Sequence, residues 1–202
     1  GHLAYRGGQT GVNQLTWFDR TGKPVGTVGE LAAYIGVAMS PDGTRAAYRD
    51  TNTAASDIWI LDIARQVHTR FTFDRSNGFP VWSPDGTRIA FAKTSASSEI
   101  YVKASSGAGD PVLLLKSAEN GKSVTSWSSD GRYLLYHAAG TANDLWILPL
   151  EEGKAGTPIS FLAGPFNERL ASFSPDGRWV AYLSNESGRD EVYVRPFSGD
   201  AS

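Results

Sequence analysis

The chain has 202 residues, sets 19 Lys and Arg against 21 Asp and Glu for a formal charge of −2, and contains no cysteine. Lack of thiols excludes a disulfide framework and thiolate metal ligation. The near-balanced charge, with no run of five or more like charges, gives no electrostatic footprint for nucleic acid or an anionic membrane surface. No apolar run approaches the ~18 residues that a spanning helix needs, so no membrane insertion is expected of this segment. Redox grounds leave the compartment open. Gly1-His2 reads as a cloning remnant, which leaves room for a targeting or anchoring segment ahead of it.

Leu3-Ala4-Tyr5 matches a strand that returns as Arg45 to Tyr48, Arg88 to Phe91, Tyr133 to Tyr136 and Trp179 to Tyr182. After a polar loop, Arg6 to Asn13, comes Gln14 to Asp19. That segment matches Asp57-Ile58-Trp59-Ile60-Leu61-Asp62 and, later, Glu99 to Val102, Asp144 to Ile147 and Glu191 to Val194. The first strand of each full pair follows a turn written Ser40-Pro41-Asp42-Gly43, Ser83-Pro84-Asp85-Gly86, Ser128-Ser129-Asp130-Gly131 and Ser174-Pro175-Asp176-Gly177. The turn aspartates are 43, 45 and 46 residues apart. A period of 40-odd residues made of strand-like segments predicts an all-β chain, a β-propeller in which each repeat is one four-stranded antiparallel blade.

Naming the strands A to D from the centre outward, A is the short run before each turn: Gly36 to Met39, Phe79 to Trp82, Val124 to Trp127 and Ala171 to Phe173. B and C are the two matched strands, whose near-continuous apolar character suits sheets covered on both faces. D is the more polar outer edge, read at Pro24 to Val28, His68 to Thr72, Val112 to Leu115 and Thr157 to Leu162. No helical period persists; its best place, Glu151 to Ser160, is broken by Gly153, Gly156 and Pro158. The reading is one propeller segment over 1–202 with about five repeats: 3–28 (partial), 35–72, 79–115, 123–162 and 169–202 (partial). That makes 18 strands, with the first blade lacking A and the last lacking D. The expectation is therefore a piece of a longer propeller, or an arc that closes by self-association through open blade faces.

In the turns, Pro presets φ, Asp bonds nearby amides and Gly takes the left-handed conformation. Asp42, Gly43, Asp85, Gly86, Asp130, Gly131, Asp176 and Gly177 are thus read as structural, not catalytic. Trp59, Trp82, Trp127 and Trp146 sit at repeated positions and are read as packing between blades, against an aromatic ligand platform. Binding is sought where loops lead into strand A at the mouth of the channel: Tyr34, Asn77, Phe79, Ser123, Glu168 and Arg169, which vary between repeats as ligand-contacting loops would.

Pro80-Val81-Trp82-Ser83-Pro84-Asp85-Gly86 with Arg88 to Phe91 and Glu99 to Val102 resembles the WD-like repeats of the TolB-type propeller superfamily, over nearly the whole chain. Several phrases look more narrowly like propellers attached to bacterial serine/threonine kinases: Leu15 to Lys23, Asp57 to Asp62, Arg70 to Asp74, Phe166 to Arg169 and Ser174 to Tyr182. That resemblance implies a sensor or interaction domain of a larger receptor-like kinase, on the extracytoplasmic or periplasmic side of a bacterial membrane. Its partner would be a protein or small ligand.

Catalytic motifs are lacking in the sequence. There is no Gly-x-Ser-x-Gly elbow and no kinase motif. Gly121-Lys122-Ser123 is read as a loop and not a phosphate cradle, because Lys116 stands where the first glycine of such a cradle belongs. His2, His68 and His137 are isolated, so no metal site and no cofactor is expected, with calcium on loop carboxylates or channel carbonyls as the open alternative. The sequence thus predicts no enzyme but a binding module. The alternatives are the gating propeller of a prolyl-oligopeptidase-like peptidase and a structural self-assembly unit.

Overall fold

A computed structural model of the chain describes residues 3–4, 12–50, 56–93, 99–116, 120–140 and 142–199, with Leu3, Ala4 and Asn120 described by backbone alone. Tyr5 and residues 6–11 of the expected first loop lie outside the described residues. The fold is all-β, built of antiparallel propeller blades, and no helix occurs among the described residues. Contacts divide it into two compact units, Gly1–Gly78 and Phe79–Ser202.

The first unit holds two sheets. One orders β1 (Leu3–Ala4), β2 (Asn13–Phe18) and β3 (Pro24–Ala32), with no inner strand among the described residues. The other orders β4 (Tyr34–Met39), β5 (Arg45–Asp50), β6 (Asp57–Asp62) and β7 (Val67–Arg70). Because side chains alternate across a strand, the pair Leu15 and Val28 faces one way and the pair Thr16 and Thr27 the other. Leu15 and Val28 pack on Tyr34, Ala46, Tyr48 and Leu61 to form the core of this unit.

The second unit takes up the sheet that begins with β8 (Asn77–Trp82) and continues through β9 (Arg88–Lys93), β10 (Ile100–Ala104) and β11 (Val112–Leu115). Next come β12 (Asn120–Trp127), β13 (Tyr133–Ala139), β14 (Asn143–Glu151), β15 (Lys154–Ala155) and β16 (Ile159–Leu162), the last pairing back onto β14. The final sheet is β17 (Arg169–Phe173), β18 (Trp179–Ser184) and β19 (Glu191–Pro196), with no outer strand among the described residues. Apolar cores hold these three blades together. Ala90, Ile100 and Val102 pack on Val124, Trp127, Leu134 and Tyr136, and Leu135, Leu145 and Ile147 pack on Ala171, Phe173, Val180 and Tyr182. Each fully buried Leu or Ile contributes roughly 1.5–3 kcal/mol.

Two differences from the sequence reading are local. The nineteenth strand is β15: Glu152 and Gly153, with φ of 50° and 79°, close a tight hairpin that pairs Glu151 with Lys154. Gly121-Lys122-Ser123 lies within β12 and not in a loop. There Gly121 takes a φ of 62° beside a register shift, where a Cβ would stand 2.8 Å from that of Ala139. Trp82 and Trp127 are buried, and Trp59 and Trp146 pack partly buried against the cores.

Candidate functional site

The two ends of the inner strands differ in how their polar groups are satisfied. At the trailing end, the four turns repeat one hydrogen-bond set. Ser83 Oγ donates to Asp85 Oδ1 at 2.5 Å and accepts from Arg88 N at 2.9 Å, while Asp85 Oδ1 also accepts from Thr87 N at 2.9 Å. Ser40 with Asp42, Ser128 with Asp130 and Ser174 with Asp176 do the same at 2.6, 2.7 and 2.5 Å. Gly43, Gly86, Gly131 and Gly177 take φ between 68° and 76°, the left-handed conformation the turn requires. Donors aimed at the carboxylate favour its ionised form, so Asp42, Asp85 and Asp176 are each lowered to about 2, first by the serine hydroxyl and then by backbone N–H. An open groove of about 620 Å³ lies among these turns in the second unit, lined by Pro84, Asp85, Arg88, Asp130, Arg132 and Glu152. Several of its charges are already engaged: Arg132 Nε binds Asp130 at 2.6 Å and Arg88 lies 5.3 Å over the Trp127 ring.

At the leading end the blades diverge. In the first unit, Tyr34 is 2 % exposed and its hydroxyl donates to Glu30 O at 2.8 Å. Its ring lies edge-on to Tyr48, whose hydroxyl shares a 2.8 Å hydrogen bond with His68 Nδ1. Tyr34 therefore belongs to the core of its unit. Asn77 is buried against a hub that sequence reasoning used only as a strand marker: Asp57 accepts from Arg70 Nη2 at 2.5 Å, Thr72 Oγ1 at 2.9 Å, Arg75 N at 3.1 Å and Asn77 Nδ2 at 3.4 Å. The Asn77 amide also donates to Asp74. Arg49, another residue the sequence did not single out, gives Nη2 to Ser56 at 2.7 Å and buries an Nε with no acceptor.

In the second unit, Phe79 and Leu170 each stand four residues before a turn serine with φ of 58° and 54°, a left-handed backbone at a non-glycine residue. Such positions cost of order 1 kcal/mol and persist where the surroundings impose them. Phe79 packs against the first core of its unit, whereas Leu170 is 66 % exposed. Glu168 and Arg169 precede that bulge. Glu168 is buried; its backbone N–H donates to Asn143 O at 2.8 Å and Oε1 accepts from the buried Ser184 hydroxyl at 3.3 Å. Oε2 has no partner. Burial pushes the Glu168 carboxyl up, the Ser184 hydroxyl opposes this, and the charges of Asp144 and Glu186 add to the rise. Arg169 reaches Asp190 at 2.5 Å.

Ser123, also buried, is the Cα partner of His137 on the adjacent strand. His137 Nδ1 is buried without a partner, and burial, then the charge of Arg169, pushes the imidazole down. The backbone around this group is fixed by a relay: Asn143 N and Nδ2 both donate to Asn167 Oδ1 at 3.2 Å, and Asn167 N donates to Asn185 Oδ1 at 2.8 Å. Of the six sequence candidates, Ser123 pairs with His137, Arg169 places its charge on the same imidazole and Glu168 bonds Ser184, while Tyr34, Asn77 and Phe79 take separate packing roles. Among the described residues no cluster of three or more metal-ligating side chains forms.

These features can be set beside known proteins. The chain aligns over 211 residues, at 25 % identity, with a Bacillus subtilis protein named Uncharacterized peptidase YuxL, covering 82 % of this chain and 32 % of that one. Its fold is that of TolB from Acinetobacter baumannii, with a TM-score of 0.78 at 20 % identity over 96 % of this chain and 49 % of TolB. A TolB-like protein from Agrobacterium tumefaciens superposes with a TM-score of 0.76 at 19 % identity, over 95 % of this chain and 72 % of that one. The chain is thus a TolB-type propeller in fold, and it spans about a third of the curated relative's length. No family model matches it.

Proposed function

We propose that the chain is a non-catalytic binding module that captures a small ligand or a protein segment at the leading end of its inner strands. In this reading it is the sensor or interaction part of a larger bacterial receptor-like kinase, held on the extracytoplasmic side of the membrane. The observation that carries the binding role is the buried, unpartnered Oε2 of Glu168 in the same unit as a second unpartnered atom, His137 Nδ1. A buried polar atom without a partner costs free energy, which a donor admitted by local opening of the strand end would recover. Ser123 is the Cα partner of His137, the charge of Arg169 acts on the same imidazole, and the register shift between Arg169 and Ser172 bends the strand that follows Glu168. The complement of an orphan carboxyl oxygen is an N–H or O–H donor, so amines, amides and short peptides are the ligand class. The kinase link rests on the resemblance of Leu15 to Lys23 and Phe166 to Arg169 to kinase-attached propellers.

The test is a thermal-shift and calorimetric screen of amines, amino acids and short peptides on the chain and on Glu168→Gln. The account expects a binder that Glu168→Gln weakens about tenfold or more, the worth of one hydrogen bond to a charged group. A screen without binders, or a binder indifferent to Glu168→Gln and His137→Ala alike, contradicts it.

A second reading is favoured by the peptidase name of the B. subtilis relative. In it the same leading end gates access to a hydrolase domain. The two readings differ in the parent gene: the first requires a kinase upstream, the second a hydrolase downstream.

A further inference from the structure

The groove among the trailing turns of the second unit collects the places where the repeat is broken. Ser129 stands there, where the other three turns carry Pro41, Pro84 and Pro175. One wall is Glu152 and Gly153, the tip of the β14–β15 hairpin, which no other blade carries among the described residues. Arg88 is the third departure. In the next two turns the residue after the glycine is an arginine that pairs with its own turn aspartate, Arg132 with Asp130 at 2.6 Å and Arg178 with Asp176 at 2.8 Å. In this turn that place is Thr87, and the half-buried guanidinium of Arg88 has neither a carboxylate nor a hydrogen-bond acceptor among the described residues.

The guanidinium is nevertheless held in place. It lies 5.3 Å over the Trp127 ring, and that indole is fixed in turn by donating Nε1–H to Gly131 O at 3.0 Å. Gly153 fits against Arg88 Nη1 only for want of a side chain, since a Cβ would stand 2.8 Å away. A donor fork ordered in advance loses little freedom on meeting an acceptor. Beside it, the exposed Ser129 hydroxyl has no partner among the described residues. Asp85 takes its hydrogen bonds on Oδ1 and leaves Oδ2 open, and Glu152 is exposed. These groups lie outside the hydrogen-bond set that the four turns share.

We propose that this groove is a second binding site, separate from the leading end, for a small zwitterion, an amino acid or short peptide whose carboxylate meets Arg88 and Ser129 and whose ammonium meets Asp85 and Glu152. The planar fork of arginine matches a carboxylate. Arg132 and Asp130 neutralise each other, which leaves Arg88 against Asp85 and Glu152. A plain anion would face two carboxylates and a plain cation the guanidinium, whereas a ligand bearing both charges satisfies both walls. The volume of about 620 Å³ lies within the roughly 300–1,000 Å³ usual for ligand sites.

The test is an NMR titration of the full chain with trialanine, read on the Arg88 Nε–H and Trp127 indole N–H signals. Both are expected to shift saturably. The C-terminal amide of trialanine should bind at least about tenfold more weakly, since it loses a charged hydrogen-bond acceptor. The N-acetyl form should bind about two- to fivefold more weakly, as loss of an exposed ion pair requires, and inorganic phosphate should leave both signals in place. Arg88→Gln is expected to weaken trialanine at least about tenfold. Ser129→Pro restores the residue of the other turns, so the fold is kept, and should weaken it roughly two- to tenfold. Arg178→Gln, in the following turn, should change nothing. Signals that trialanine leaves unmoved, binding that survives both Arg88→Gln and Ser129→Pro, equal binding of the N-acetyl form, or a stronger response to phosphate overturns the proposal. So does binding lost in Glu168→Gln but kept in Arg88→Gln, which would assign the peptide to the leading end.

Discussion

The trailing and leading ends of the inner strands lie a few residues apart on the same β-strands, yet they solve opposite problems. At the trailing end each carboxylate accepts a serine hydroxyl and at least one backbone N–H, and the same set recurs in all four turns. At the leading end every blade differs: a tyrosine folded into the core, an asparagine on an aspartate hub, a glutamate with an idle oxygen. The difference teaches where a repeat protein is free to specialise. Blade geometry is secured by the turn and by the packed B and C strands, so the loops that lead into strand A can carry unsatisfied groups without loosening the sheet.

The comparison can be broken at the turn first. Ser83→Ala removes a fully buried hydroxyl that bonds both Asp85 and Arg88 N, and is expected to cost about 1–2 kcal/mol in urea unfolding. A change smaller than a few tenths would show that the repeated set is ornamental. At the other end, Glu168→Gln keeps a partner for Ser184 and removes a charge that burial disfavours. It is expected to leave stability at neutral pH unchanged or raised by less than about 1 kcal/mol. An effect of similar size is expected of Leu170→Gly, which relieves a left-handed backbone while losing little burial: a gain of up to about 1 kcal/mol in thermal unfolding.

The pH profiles of the two ends have opposite signs. The turn aspartates are held near 2, below their ordinary 3.8, so their contribution is fully present above about pH 3.8 and fades as pH falls toward 2. Glu168 is raised above 4.5, so its folded form holds a proton more tightly than the unfolded chain does. Its contribution is greatest below 4.5 and is lost as pH rises through the raised value. His137, lowered below 6.5, makes stability fall as pH drops from 6.5 through its depressed value. Comparing acid unfolding of the chain with that of His137→Gln separates this last component.

The turns and strands were legible in the sequence because period and turn chemistry are local: Pro, Asp and Gly at fixed offsets act through their own backbone. What the sequence withheld depends on neighbours across sheets. Asp57 reads as the first letter of a strand motif, and only the fold brings Arg70, Thr72, Arg75 and Asn77 to it. Tyr34 sits at the predicted mouth in sequence, but the direction of its ring is decided by Tyr48 and His68, 14 and 34 residues on. Gly153 reads as a helix breaker, and its true role in a hairpin turn with Glu152 needs the pairing of Leu150 with Ala155. Arg49 gave no signal at all and His137 only that of an isolated histidine, since what marks them is a buried nitrogen without a partner.

The contrast between the two ends is tested most directly by a side-chain carboxyl NMR titration of the whole chain. In one experiment the account predicts Asp42, Asp85 and Asp176 titrating near 2 and Glu168 titrating above 4.5. A Glu168 that titrates at or below 4.5 alongside the turn aspartates would mean that its carboxylate is already satisfied, and the leading end would lose its claim to be a binding site.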